Sequence, residues 1–392
     1  MKDRLLNVHY ITVGVVIFLL SDVLLLLFPG LINLRISYFL KGAVLVYYSF
    51  LVIRLLVFKE TLFLLMFLIL FIASQSYLFF FKKINFVGIL DNLRFFTWYL
   101  FGCTLMLIYD KYCSMILKPR TIHLFNKIAL IIISVVCISI LVGFIFDLKI
   151  FWSYNKDRWG YKGILSKSVT ASYFFIITLS YLYYCYVILK RKYSFFLIVL
   201  FCSLLCGTKT IYLFILLQLI FHIVQEKKYK LKSFWYSFVV FFALIWVFRN
   251  ILLEKTEFFL GLFYKLYQEK GFMYSFSSFR SEMLIEGISY YCLQWDWVNY
   301  IIGGRLIEIK YFEMSFFDLF YFFGIIGFFL FVFMLIKYVV IPFYKQTKVY
   351  GLFIMFSIFL ASFFTGQFFI NSTVMMLFFF YLFVIHANTK LN

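Results

Sequence analysis

The strongest constraint on this chain is a succession of apolar runs, each about 20 residues long, separated by short basic segments. A helix needs about 20 apolar residues to cross the hydrocarbon core of a bilayer. Of the 392 residues, 65% are hydrophobic and only 14% are charged, and the mean hydropathy is +0.99. A soluble domain of this length could not bury that much apolar surface, so lipid must be the solvent for most of the chain.

The apolar runs predict an all-α, polytopic membrane protein with about twelve transmembrane helices in a single domain, residues 1–392. One large external loop, 253–313, belongs to that domain. The predicted spans are 8–28, 37–58, 61–81, 90–110, 126–147, 166–189, 193–207, 210–225, 234–252, 314–338, 349–366 and 368–387.

Basic residues between the spans predict the orientation. The segments 110–127, 190–192, 226–233 and 337–348 are all basic and fall on one side, which the positive-inside rule makes cytoplasmic. Both termini are then cytoplasmic and loop 253–313 is external, although Lys82-Lys83 lies on the wrong side. The net charge of +20 therefore reflects topology, and no nucleic-acid partner is predicted because no compact basic domain exists.

The residue types needed for several kinds of chemistry are missing from the pattern. The seven cysteines and four histidines form no CxxC pair and no group of zinc spacing, and there is no Walker loop, GxSxG elbow or Rossmann fingerprint. We therefore predict no metal and no cofactor.

Polar residues gather in three stretches that the topology places outside: 155–163, 207–210 and 254–313. They contain Arg158, Lys209, Arg280 and Arg305, which are natural ligands for an anion because arginine binds phosphate oxygens in pairs and lysine adds a point charge. The alternative is that each is an ordinary solvated loop charge.

Four charged residues lie in the outer halves of spans: Asp22, Lys41, Asp91 and Arg94. Charge at membrane depth is costly, so these residues indicate a polar cavity open to the outside. The alternative for Lys41 and Arg94 is that they extend to the interface.

Two carboxylates, Glu313 and Asp318, open the tenth predicted span. Five residues along a helix leave two side chains about 140° apart, so these carboxylates cannot form a same-face acid/base pair. Glu313 could act alone as a general base at the lip of the membrane, or it could cap the positive end of its helix.

The order of these motifs resembles the bacterial O-antigen polymerase (Wzy) and O-antigen ligase superfamily. The sequence has an Arg-Trp-Gly stretch at 158–160, a Gly-Thr-Lys-Thr tip at 207–210, and a large loop with Ser-Phe-Arg at 278–280 and Ile-Gly-Gly-Arg at 302–305. Glu313 then precedes a Gly-Ile-Ile-Gly run at 324–327. Paired Arg-x10-Gly motifs described for polymerases are absent.

The resemblance implies a metal- and nucleotide-independent glycosyltransferase of the bacterial inner membrane, with its active site outside. Its partners would be undecaprenyl diphosphate-linked glycan donor and acceptor, the bilayer and a chain-length regulator. Arg280 and Glu313 would be catalytic, and Glu313 fills the slot where ligases carry a histidine, which favours a polymerase. The expected substrate-binding residues are Arg158, Lys209, Arg305, Arg94 and Asp318.

Three alternatives stay open at this point. A ligase would pass finished glycan to a lipid acceptor, a flippase would transport it without chemistry, and a scaffold would do neither. A flippase should carry polar groups along a path through both leaflets, whereas the candidate groups here sit on one side.

Overall fold

A computed structural model describes residues 9–28, 36–55, 58–113, 119–154, 159–190, 195–232, 235–236, 265, 267–269, 271, 274, 280–305 and 312–389. These residues are almost entirely helical and contain no strand, only one isolated antiparallel bridge between Trp152 and Tyr161. The prediction of an all-α chain is therefore confirmed for the part that the structure describes.

The helices follow the apolar runs closely. They are α1 His9–Leu27, α2 Ile36–Leu55, α3 Phe58–Phe81, α4 Phe86–Cys113, α5 Pro119–Ile145, α6 Ser168–Tyr183, α7 Phe196–Leu204, α8 Lys209–Gln225, α9 Arg280–Gln294, α10 Trp297–Ile302, α11 Ser315–Leu335, α12 Ile341–Thr347, α13 Val349–Thr365 and α14 Ser372–Thr389. A π-helical turn, Tyr184–Ile188, extends α6, and another, Ile336–Val340, joins α11 to α12.

Five of these helical segments are long and apolar enough to cross a membrane: Glu60–Phe81, Pro119–Ile145, Ser168–Ile188, Ser315–Thr347 and Ser372–Thr389. Four shorter apolar helices accompany them. The count of twelve spans stays a prediction, and the ninth predicted span, 234–252, lies almost wholly outside the described residues.

Helix α3 shows why the surface suits lipid. Leu62, Leu65, Ile69 and Ile72 are exposed at helical spacing, while Phe67 and Phe71 are buried on the other face. A helix at a protein–water boundary would carry polar residues on its exposed face. An apolar stripe on the exposed face suits contact with lipid tails. The backbone polar groups of a helix are hydrogen-bonded within the helix, so they need no partner in the lipid.

Helix α14 forms the centre of the bundle. Its residues from Thr373 to Asn388 are buried, and it packs against α1, α4, α5 and α6. A helix that is apolar on all sides is expected in such a position. Aromatic rings fill the neighbouring contacts, as where Phe71 of α3 stacks on Phe96 of α4 with ring centroids 4.2 Å apart.

Successive helices run back and forth, so their connections gather at two ends of the bundle. We call one the loop end: it holds the described residues of the connections 82–85, 146–167, 205–208 and 366–371 and of segment 280–314. The opposite, basic end holds connections that contain Lys190, Lys227, Lys228, Lys230 and Lys348. The candidate functional residues that the structure describes all lie toward the loop end.

Candidate functional site

The Trp159–Gly160 segment and the Gly207 tip, two motifs separated by almost 50 residues, pack directly on each other. The Tyr161 amide donates to the Leu205 carbonyl at 2.9 Å. A Cβ on Gly160 would lie 2.4 Å from the Cys206 carbonyl oxygen, and one on Gly207 would lie 2.2 Å from the Trp159 oxygen. Only glycines permit backbones this close, which explains why both motifs need one.

The titratable groups of connection 146–167 are shifted by their surroundings. Burial, followed by the hydrogen bond to Asp147 at 2.8 Å, raises the pKa of the Tyr161 phenol to about 12. Burial also lowers the pKa of Lys162, whose Nζ donates to the Ser166 carbonyl at 3.1 Å. Arg158 lies outside the described residues, so its predicted role as a diphosphate ligand stays a prediction.

The first turns of α6 link the tip to the rest of the loop end. Ser172 donates to the Thr208 hydroxyl at 2.8 Å, and Tyr173 donates to the Gly366 carbonyl at 2.8 Å. Asn371 donates to the Thr170 hydroxyl at 2.9 Å. Lys209 is the half-buried first residue of α8. It directly follows Thr208 and therefore lies beside the contact between Thr208 and Ser172.

The centre of the site is an ion pair between two residues that are distant in sequence. Arg280 Nη2, at the start of α9, lies 2.8 Å from Glu313 Oε2. The other carboxylate oxygen, Oε1, accepts a hydrogen bond of 3.1 Å from the side-chain amide of Gln367. The Arg280 side chain is 14% exposed and that of Glu313 is 32% exposed, so the carboxylate is the more accessible partner.

Glu313 does not lie on the helix, contrary to expectation. Helix α11 begins at Ser315, Met314 is its N-cap residue, and Glu313 has a left-handed backbone with φ of 56°. The expected 140° angle between Glu313 and Asp318 on one helix is therefore wrong. The helix-cap alternative also loses its support, because the Glu313 carboxylate is engaged with Arg280 and Gln367.

Asp318 holds the turn on which Glu313 sits. Its Oδ1 accepts from the Phe312 amide at 2.7 Å and its Oδ2 accepts from the Met314 amide at 3.1 Å. The side chain is buried among α11 and the preceding turn. Both of its oxygens thus face backbone donors on either side of Glu313.

The Ile-Gly-Gly-Arg turn inserts against a kink in α11. Gly324 has φ of 65° inside that helix, and a Cβ on it would lie 2.4 Å from the Gly303 nitrogen. The Gly304 amide donates to the Tyr321 carbonyl at 3.3 Å. Since Gly324 is about two and a half turns into α11, the turn reaches well below the start of that helix.

Arg305 follows this turn and lies within the bundle. Its guanidinium carbon is 4.0 Å from the centre of the Phe95 ring. Its backbone carbonyl accepts a hydrogen bond of 3.2 Å from the side-chain amide of Asn92. Arg305 and Glu313 are both within electrostatic range of Asp318. The structure thus brings Arg280, Glu313, Asp318 and Arg305 into one neighbourhood.

Helix α10 is fixed beside this neighbourhood by its N-cap. The Asp296 carboxylate accepts from the Asn299 amide at 3.2 Å and from the Tyr77 hydroxyl, and it pairs with Lys82 at 3.3 Å. Partial burial opposes ionisation of Asp296, but these bonds outweigh it and lower its pKa. The Lys82 that contradicted the positive-inside pattern therefore has a structural partner.

Asp22 and Lys41 form an ion pair with each other. Their charged atoms are 2.8 Å apart, and the Asp22 side chain is only 2% exposed. Lys41 also donates to the Thr373 hydroxyl at 3.0 Å, and Ser166 donates to Asp22 at 3.1 Å. This pair joins α1, α2 and α14, so its contacts are those of a buried structural link.

Arg94 and Asp91 lie on the exposed surface of α4. The Arg94 guanidinium is 5.0 Å from the centre of the Trp98 ring, one turn along the same helix. This is the arrangement expected of an arginine at an interface. Its role as a substrate ligand stays a prediction.

Comparison of the chain with protein-family models, with curated proteins and with solved structures gives no match. The resemblance to the O-antigen polymerase and ligase superfamily therefore rests on the motifs and their placement. Among the described residues, no group of three or more His, Cys, Asp or Glu side chains is placed to hold a metal ion.

Sequence reasoning missed Gln367, Gly366 and Tyr173. Gln367 is an uncharged residue at the edge of an apolar run, and Tyr173 is one aromatic among many, so neither carried a distinctive signal. Gly366 was visible as a Thr-Gly-Gln break at 365–367 between two apolar runs. That break marks the connection that meets Glu313.

Proposed function

We propose that this chain is a membrane glycosyltransferase that polymerises undecaprenyl diphosphate-linked oligosaccharide repeat units into a surface polysaccharide. The observation that carries the proposal is the Arg280–Glu313 pair at the loop end of an apolar bundle. A lipid-linked sugar has its carrier in the bilayer and its diphosphate at the interface. A cation and a carboxylate at that level suit such a substrate.

The chemistry needs few groups because the donor carries its own leaving group. The acceptor hydroxyl attacks the anomeric carbon, and the bond from that carbon to the diphosphate oxygen breaks with its electron pair going to the diphosphate. Arg280 stabilises the departing charge, and the Glu313 carboxylate takes the hydroxyl proton. Lys209 and Arg305 are further cations for the diphosphate or the glycan.

The ion pair gives this reaction an order. While Arg280 holds Glu313, one carboxylate oxygen contacts the guanidinium and the other accepts from the Gln367 side-chain amide. A diphosphate that binds the guanidinium replaces the carboxylate there, because arginine's planar fork matches phosphate oxygens. Glu313 then keeps its contact with Gln367, and the oxygen that Arg280 has left is available to the acceptor hydroxyl.

The distribution of charge supports an external active site. The basic segments 190–192 and 226–233 belong to the basic end and fit the cytoplasmic side, so the loop end would face away from the cytoplasm. We place the protein in the bacterial inner membrane, with both termini in the cytoplasm. A chain-length regulator is the expected protein partner.

The test is polymerisation by purified protein supplied with lipid-linked repeat units, with the products separated on a gel. Wild type should give a ladder without added metal or nucleotide. Arg280→Ala and Glu313→Gln should each reduce the ladder at least tenfold at equal expression. The matched controls are Arg120→Ala, at the basic end, and Glu286→Gln, on the exposed face of α9.

Two outcomes would contradict the proposal. If Arg280→Ala makes a normal ladder, the assignment of the site is wrong. If lipid-linked units cross the membrane of proteoliposomes while no ladder ever forms, the protein is a flippase and not a polymerase.

A further inference from the structure

Asp318 was expected to bind substrate, but its contacts fit another role. We propose that Asp318 is a positioning residue, which fixes Glu313 in the orientation that meets Arg280 and Gln367. The catalytic part of this inference rests on the proposed function; the structural part does not.

The first observation is that Asp318 is hydrogen-bonded to the residues on both sides of Glu313. The carboxylate of Asp318 accepts from the amides of Phe312 and Met314, at 2.7 and 3.1 Å, and Glu313 is the residue between them. The Asp318 amide in turn donates to the Met314 carbonyl at 2.9 Å. The turn is therefore bonded to α11 on both sides of Glu313.

The second observation is the backbone of Glu313. Its φ of 56° is in the left-handed region, which residues with a side chain rarely adopt unless the surroundings impose it. The bonds to Asp318 supply that constraint. Without them, the turn should relax toward an ordinary conformation and move the carboxylate away from Arg280.

The third observation is the support on the opposite side of the turn. A Cβ on Gly366 would lie 1.6 Å from the Glu313 carbonyl oxygen, so the two backbones are in direct contact. The Phe368 amide donates to the Ser315 hydroxyl at 3.0 Å, just beyond the turn. Connection 366–371 thus supports the turn from one side while Asp318 holds it from the other.

The burial of Asp318 separates its role from that of a substrate ligand. The residue is 8% exposed, and both oxygens accept from the backbone, whereas the Glu313 side chain is 32% exposed. Asp318 therefore acts on substrate through the placement of Glu313. This is the role of a residue that orients a catalytic group.

The structural test is amide hydrogen exchange in detergent, followed by mass spectrometry of peptides that cover 312–318. Asparagine has the shape of aspartate but only one acceptor oxygen, so Asp318→Asn should lose slow exchange at one of the two amides, by at least tenfold. The controls are Glu313→Gln, which removes charge from the turn without touching its amides, and Asp110→Asn at the basic end. Unchanged exchange in Asp318→Asn would overturn the proposal.

The kinetic test is a double-mutant cycle in the ladder assay. If Asp318 acts through Glu313, Asp318→Asn should lower kcat about tenfold or more with little change in KM for the donor. Asp318→Asn combined with Glu313→Gln should then be no slower than Glu313→Gln alone. Rate losses that multiply would refute a role through Glu313, even if the exchange result holds.

The two tests fail in different ways. If wild type makes no ladder, the proposed function fails, while hydrogen exchange still decides whether Asp318 holds the turn. If wild type makes a ladder and Asp318→Asn matches it in kcat, the positioning role fails and the glycosyltransferase stands.

Discussion

Substitution of Gly366 by alanine tests the geometry of the site most directly. The added Cβ would lie 1.6 Å from the Glu313 carbonyl oxygen and 2.0 Å from its carbonyl carbon, both backbone atoms that cannot rotate away. Gly366 also has φ of 63°, which costs an alanine about 1–2 kcal/mol. Overpacking adds about 1–3 kcal/mol, so a total loss of about 2–5 kcal/mol is expected.

Gly42→Ala is the matched control, because nothing lies within 4 Å of a Cβ at that position in α2. Alanine should stabilise this helix by about 1 kcal/mol relative to glycine. The two variants therefore differ by at least about 3 kcal/mol, although the chemical change is the same.

The assay is unfolding in mixed micelles, followed by tryptophan fluorescence, with the ladder assay run on the same preparations. Gly366→Ala should unfold earlier than wild type and make little product, while Gly42→Ala should unfold later and keep its activity. Equal stability of Gly366→Ala and Gly42→Ala would refute the contact between connection 366–371 and Glu313.

Three further predictions concern the ion pair, the kink and the orientation. Lys41→Ala should cost about 3–5 kcal/mol, because it leaves the buried Asp22 carboxylate without its cation, and the double replacement of both by leucine should cost less in the same unfolding assay. Gly303→Ala and Gly324→Ala should each speed tryptic cleavage after Arg305, and the double variant should add little, because either Cβ already separates the same two backbones; slow cleavage in both would contradict the docking. Cys292 is exposed whereas the other cysteines are buried or half-buried, so a membrane-impermeant maleimide should label it in intact spheroplasts and not label Cys292→Ser; labelling only after lysis would contradict the external loop end.

The helices were largely predictable because the apolar runs are long and their ends carry charges, glycine or proline. The sequence shows both the start of α5 at Pro119 and the break near Gly366 in this way. The common location of the Trp159–Gly160 and Gly207 motifs also followed from the predicted topology. What sequence could not supply was their direct contact, because it depends on the packing of α5, α6 and α7.

The site was less predictable for identifiable physical reasons. Residues 312–320 are mostly apolar, so nothing in the pattern showed that the helix begins at Ser315 and not at Glu313. The capture of two backbone amides by Asp318 is a local competition with the helix that spacing does not reveal. Likewise, Arg280 and Glu313 are 33 positions apart, and only the docking of α9 and α10 brings them together.

The Arg280–Glu313 pair also closes a ring of chain, since one residue begins α9 and the other follows the segment that contains α10. Closing a ring of this length costs about 3–4 kcal/mol of chain entropy, more than a partly exposed ion pair contributes. The contact of Gly303 with Gly324 must therefore offset most of this entropy cost. The Arg280–Glu313 ion pair can then break while the segment between the two residues stays folded. An anion that binds Arg280 would break the ion pair with Glu313, while the contact between Gly303 and Gly324 remains in place.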